Sequence, residues 1–148
     1  MHRHVKVASV AACIATSVAI AWPAAAQYRK PEDAVKYRKA VFTVMNSHMA
    51  RIFAQLKSST PNMQIIQPSA QVVETMSKLP WDAFGQNTEF VTETRALPAL
   101  FKNEAKVKEL AQNMQDEVAK LNAAAKTGDA AAVRTQFNAT VKTCDNCH

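Results

Sequence analysis

The stretch PEDAVKYRKAVFTVMNSHMARIFAQLK, residues 31–57, decides the fold. Within it Val35, Arg38, Phe42, Met45, Met49, Ile52 and Leu56 succeed one another at spacings of three and four, the period of one helix face. Pro31 stands at the opening, where a helix tolerates proline, and Glu32 and Asp33 fill the first turn, where negative charge suits the positive end of the helix dipole. Ser58-Ser59-Thr60-Pro61 ends the pattern. A helix of about seven turns with one apolar face needs partners to cover that face, so the rest of the chain is read for them.

The same period returns twice more at length and once briefly. A second helix is expected from Pro68 to Lys78, with Val72, Val73, Met76 and Leu79 on its inner side and Pro80 as its stop. Residues Trp81 to Pro98 have no helical period and are punctuated by Gly85-Gln86-Asn87, so they read as an irregular crossover. A connection of that length in a small domain usually has a task, such as covering a ligand. A third helix is expected from Ala99 to Ala125, with Leu100, Val107, Leu110, Met114, Val118 and Leu121 facing inward. Lys126-Thr127-Gly128 closes it, and Asp129 can cap a fourth helix carrying Val133, Phe137, Val141, Cys144 and His148 on one face. Gly85 and Gly128 are the only glycines in the chain, and alanine is abundant. The expectation is an all-α protein, an antiparallel four-helix bundle.

Residues 1–27, MHRHVKVASVAACIATSVAIAWPAAAQ, have a different character. Basic residues come first, an apolar run from Val7 to Trp22 follows, and Ala24-Ala25-Ala26 offers small residues for cleavage. This reads as a signal peptide, residues 1–26, cleaved after Ala26, leaving one domain over residues 27–148. Cys13 lies inside that segment; Val10-Ala11-Ala12 before it loosely resembles a lipid-attachment signal, but the apolar stretch ahead of it is short. The formal net charge is +6, and Arg3 and Lys6 of that total belong to the signal. Lysines and acids are interspersed without a basic run or interleaved aromatics, which argues against nucleic acid as a partner, and no second long apolar segment suggests a membrane span in the mature protein.

Cys144-Asp145-Asn146-Cys147-His148 is the pattern for covalent attachment of a c-type haem. Two thiols three positions apart and an imidazole one further can share a helical face, so the thiols can bond the haem vinyl groups while His148 binds the iron. Two other readings of the same residues stay open. A disulfide or a CxxC redox pair is one, but such a redox pair usually opens a helix after a strand and no strand pattern precedes Cys144; a zinc site would need a fourth ligand or an open catalytic position, and His48 is the only other histidine outside the signal.

Four stretches carry a resemblance: Gln27-Tyr28-Arg29-Lys30-Pro31-Glu32-Asp33-Ala34, Tyr37-Arg38-Lys39-Ala40-Val41-Phe42-Thr43, Leu79-Pro80-Trp81-Asp82-Ala83-Phe84-Gly85, and the closing CxxCH. With them the chain resembles the cytochrome c′ family of class II c-type cytochromes. The resemblance implies one haem c held by Cys144 and Cys147, with His148 as proximal ligand, near the end of the bundle where the fourth helix meets the first helix and the crossover. It makes Arg38 and Lys39 a polar pair beside the haem, although glutamine is more familiar where Lys39 stands, and gives Arg38 a haem propionate as partner. It places Phe42 over the sixth coordination site, so that a five-coordinate iron is open to NO and CO. It aligns Glu93 and Thr94, within Thr92 to Ala96, with haem contacts, and sets Trp81 and Phe84 near the macrocycle.

The function implied is a periplasmic haem protein with five-coordinate iron that binds NO or CO, transfers single electrons to a redox partner, or does both, rather than an enzyme. Two alternatives accompany it. Low-spin relatives use a first-helix methionine as sixth ligand, which here would be Met45 or Met49 and would make the protein purely an electron carrier. A peroxidase-like enzyme would want a distal acid–base group, and the inward positions offer Phe42 and Met45 instead. His48 is expected at the surface or bundle edge, and a homodimer through the first helices, with Val44 and Phe53 exposed, is expected from the relatives. The family pattern runs on past the iron-binding histidine with an aromatic and a basic residue, so the sequence is expected to be truncated just after the CxxCH motif.

Overall fold

In the computed structural model residues 28–148, apart from Gln86, are described; the expected signal peptide lies outside them. Helix α1 runs Pro31–Lys57, α2 Met63–Met76, α3 Pro98–Lys102, α4 Glu104–Thr127 and α5 Ala130–Asp145, and there is no strand among the described residues. Between α2 and α3 the crossover carries two 3₁₀ turns, Trp81–Phe84 and Thr88–Phe90. No described helix is long and apolar enough to cross a membrane.

The four long helices, α1, α2, α4 and α5, make the bundle, and two core layers fix their directions. One layer joins Ile52 and Leu56 near the end of α1, Ile66 and Ala70 near the start of α2, Leu121 and Ala125 near the end of α4, and Val133 and Phe137 near the start of α5. The other joins Val41 and Met45 of α1, Val73 of α2, and Met114 and Val118 of α4, with Phe42, Met76 and Trp81 packed against it. Neighbours in chain order are therefore antiparallel, and the close of α5 lies toward the end of the bundle that holds the first half of α1 and the crossover.

α1 occupies the expected residues, but α2 begins five positions before Pro68. The Asn62 side chain accepts a hydrogen bond from the Gln64 backbone N–H, so Asn62 is the cap that starts the helix. Pro68 sits inside it on an exposed face, where water can serve the Gln64 carbonyl left without its usual donor. Ile66, Ser69, Ala70 and Val73 form the buried side, whereas Leu79 is exposed beyond the helix end.

The expected third helix is two helices. Asn103 interrupts it with φ −133° and ψ 59°, and its side chain caps α4 by accepting from the Lys106 backbone N–H. Gly128, at φ 78°, ends α4 in the left-handed region that glycine enters without a steric penalty, and Asp129 caps α5 through bonds from the Ala131 and Ala132 N–H groups.

Candidate haem site

Cys144 is half-buried and Cys147 exposed, and both are free thiols. No disulfide joins them. Regular α5 bonding ends at Asp145, and the next residues are held by shorter-range bonds, Cys147 N–H to the Cys144 carbonyl at 3.2 Å and His148 N–H to the Asp145 carbonyl at 3.1 Å. His148 is accordingly exposed rather than seated on the inward face with Val141 and Phe137. Burial raises the Cys144 thiol pKa, assisted by the negative charges of Asp145 and of Cys147, and burial also raises that of Cys147. Both sulfurs therefore favour the protonated, uncharged form.

Arg38 is the most heavily bonded polar side chain of the crossover end. It lies on the buried side of α1 and is only 3% exposed. Its Nη1 donates to the Ala83 carbonyl at 2.7 Å and to Thr88 Oγ1 at 2.9 Å, and its Nη2 donates to Thr94 Oγ1 at 2.6 Å. The guanidinium carbon lies 4.4 Å from the Phe84 ring centroid and 5.9 Å from that of Phe101, within cation–π range of both. No carboxylate among the described residues pairs with it. Burial without a counter-charge pulls its pKa down from the ordinary arginine value, and every acceptor it has is neutral.

Phe42 belongs to an aromatic group. Its ring meets Trp81 edge-on at 6.2 Å and Phe84 at 6.4 Å, while Trp81 and Phe84 stack at 6.0 Å and Phe84 lies 6.5 Å from Phe101. The Trp81 indole N–H donates to the Ser77 carbonyl at 2.7 Å, which fixes the plane against which Phe42 rests. Met45 is buried in the second core layer, and Met49 packs against both layers, as unbranched gap-filling side chains do.

The remaining expected residues divide. Thr94 is gathered to Arg38, and its hydroxyl also accepts from the Ala96 N–H at 3.2 Å. Lys39 and Glu93 are exposed; Lys39 Nζ donates to the Glu93 carbonyl at 3.3 Å, tying α1 to the crossover rim. His48 is half-buried, with a buried Nδ1 that has no partner among the described residues. Three contributors escaped the sequence reading: Thr88, the Ala83 carbonyl and Phe101, all facing Arg38. Only the inward place of Arg38 on α1 signalled that acceptors of some kind had to exist.

These residues fit an iron porphyrin. The thiols are free and followed by an imidazole, the rings of Phe42, Trp81 and Phe84 supply an apolar surface, and Arg38 has donors to spare for an acidic side group. Among the described residues no cluster of three or more His, Cys, Asp or Glu side chains could hold a bare metal ion.

Comparison with known proteins agrees. The family profile described as Cytochrome C′ matches residues 33–148. A cytochrome c′ of Alcaligenes xylosoxydans xylosoxydans is 39% identical over 123 residues, covering 82% of this chain and 94% of the relative. The crystal structure of cytochrome c′ from Rubrivivax gelatinosus superposes with a TM-score of 0.78 at 36% identity, over 82% of this chain and 96% of that one. A nitric oxide complex of a mutant of cytochrome c prime from Alcaligenes xylosoxidans gives a TM-score of 0.76 at 38% identity, over 82% of this chain and 95% of that one.

Proposed function

Because the chain belongs to the cytochrome c′ family, whose members carry haem c bound covalently through cysteines, we propose that it is a periplasmic, five-coordinate haem protein that binds NO or CO and passes single electrons. Cys144 and Cys147 are the thioether anchors and His148 the proximal ligand. When bound, the haem supplies an iron whose second axial face can accept a small neutral ligand and whose oxidation state changes by one electron.

The observation that carries this reading is Phe42. Its ring, flanked by Trp81 and Phe84, can neither ligate iron nor donate a hydrogen bond, so it leaves the distal side apolar and suited to neutral diatomic ligands. The burial of Met45 among Val41, Val73, Met114 and Val118 supports packing rather than ligation. Arg38 turns its remaining donors to a propionate, Thr94 steadies Arg38, Trp81 borders the ring system, and Lys39 with Glu93 guards the rim. A nitric oxide complex among the structural neighbours supports the gas-binding part of the proposal.

The optical spectrum of the purified haem protein tests the reading. The expected ferrous form is high-spin and shifts on adding CO; a sharp low-spin α band unmoved by CO would point to Met45 or Met49 as sixth ligand and to a pure electron carrier. High peroxide turnover abolished by changing His48 would instead favour an enzyme. Cell fractionation tests the location, with export expected from the reading of residues 1–26 as a signal peptide. A homodimer through α1 is part of the proposal, supported by Val44 and Phe53, which are 37% and 46% exposed; sedimentation of Phe53→Glu, expected monomeric, tests it.

A further inference from the structure

Three of the five guanidinium N–H donors of Arg38 are bonded within the protein, and their distribution is uneven. Both hydrogens of Nη1 are taken, one by the Ala83 carbonyl and one by Thr88 Oγ1. Nη2 gives one hydrogen to Thr94. What remains is Nε–H and one hydrogen of Nη2, donors on neighbouring nitrogens that a carboxylate can accept.

Thr88 is built to hold that arrangement. It is buried, and its hydroxyl donates to the Gly85 carbonyl at 2.9 Å, so the proton is committed and a lone pair is left for Arg38. The turn that presents it runs through Asn87 at φ 68°, a left-handed conformation that asparagine tolerates better than most residues. Phe84 and Phe101 cover the guanidinium.

We propose that Thr88 is a positioning residue, which by occupying Nη1 leaves the Nε–H and the remaining Nη2 hydrogen of Arg38 for the haem propionate. The proposal rests on the reading that Arg38 meets a propionate, and the test separates the two. Thr88→Val keeps the side-chain shape and removes the acceptor; Thr88→Ala removes it with less bulk, should valine not fold; Thr88→Ser keeps the hydroxyl.

Two readouts are taken on the haem-loaded protein: the NMR signals of the Arg38 Nη hydrogens and the reduction potential. In the parent, separate slowly exchanging Nη signals are expected. In Thr88→Val or Thr88→Ala they merge through rotation about the Nε–Cζ bond, and the potential falls, because a loosened cation opposes the ferric charge less. Thr88→Ser restores both. Unchanged Nη signals and potential in both acceptor-less variants would overturn the proposal. A reduction potential that does not move in Arg38→Ala would overturn the propionate reading instead, while the Nη signals of the Thr88 variants still report on the hold of Thr88 over Arg38.

Discussion

Toward one end of the bundle the core cluster is hydrocarbon, Ile52, Leu56, Ile66, Ala70, Leu121, Ala125, Val133 and Phe137, and the polar side chains buried on the same stretches of α2 and α4, Ser69 and Asn122, are uncharged; toward the other, Phe42 and Trp81 pack against a layer containing Met45 and Met114, and the cation of Arg38 is buried on the same half of α1. Hydrocarbon asks nothing of its neighbours except shape, so helices alone can surround it. A buried cation must have acceptors, and helices have already spent their interior carbonyls on themselves. The second end therefore recruits a segment outside the α-helices, and the Ala83 carbonyl, Thr88 and Thr94 all come from the crossover with its short 3₁₀ turns. One end is thus packed by shape alone, and the other combines packing with a fixed cation.

The separation can be broken most forcefully at Leu121. Leu121→Ala at the hydrocarbon end should cost roughly 2–5 kcal/mol in a denaturant titration and leave the haem spectrum as it was. A changed spectrum would mean that the two layers are mechanically one. Phe42→Ala, at the other end and only half-buried, should cost less, about 1–3 kcal/mol, yet speed CO association to the ferrous protein measured by flash photolysis. A stability loss matching that of Leu121→Ala, with CO kinetics unmoved, would erase the contrast.

A smaller effect is expected at the junction of α4 and α5, on the hydrocarbon end. A Cβ added to Gly128 meets nothing within 4 Å, so Gly128→Ala isolates the strain of the left-handed backbone, about 1 kcal/mol by thermal unfolding. The least effect is expected midway along the bundle, at Glu117. Hydrogen bonds from Lys120 and Gln136 hold its carboxyl below the ordinary glutamate pKa, against a weaker opposing push from burial. A depressed folded-state pKa stabilises above the unfolded value and is lost as pH falls through the folded one. Urea midpoints of the parent and Glu117→Gln should therefore differ near neutrality and converge in acid.

Legibility in the sequence followed the same division. α1 was readable to the residue because its spacing of three and four is unbroken and proline marks its start. The bundle was readable from four such periods. The start of α2 was hidden because Pro68 resembles an opening when the eye follows proline, although Asn62, with Ile65 and Ile66 close behind it, is the better cap signal. Asn103 before Glu104 marks a helix start in the same way, inside what reads as continuous helix.

At the proposed site, Cys144, Cys147 and His148 stand out in the sequence because attachment chemistry demands a local motif. Arg38 and Phe42 are legible as inward positions of α1, with roles that came from resemblance. Thr88 was not legible. It stands 50 residues from Arg38 in a segment without period, and a hydroxyl–guanidinium contact leaves no trace in spacing.

The Arg38 bonds also bear on the order in which the chain comes together. They span 45, 50 and 56 residues, and the entropy of closing such loops grows only with the logarithm of length, so each alone would be almost equally costly to form. Once the first has formed, the other two close over only the few residues that separate Ala83, Thr88 and Thr94. One arginine thus ties three points of an aperiodic stretch together, and in a hydrogen-exchange experiment the crossover should open as one unit.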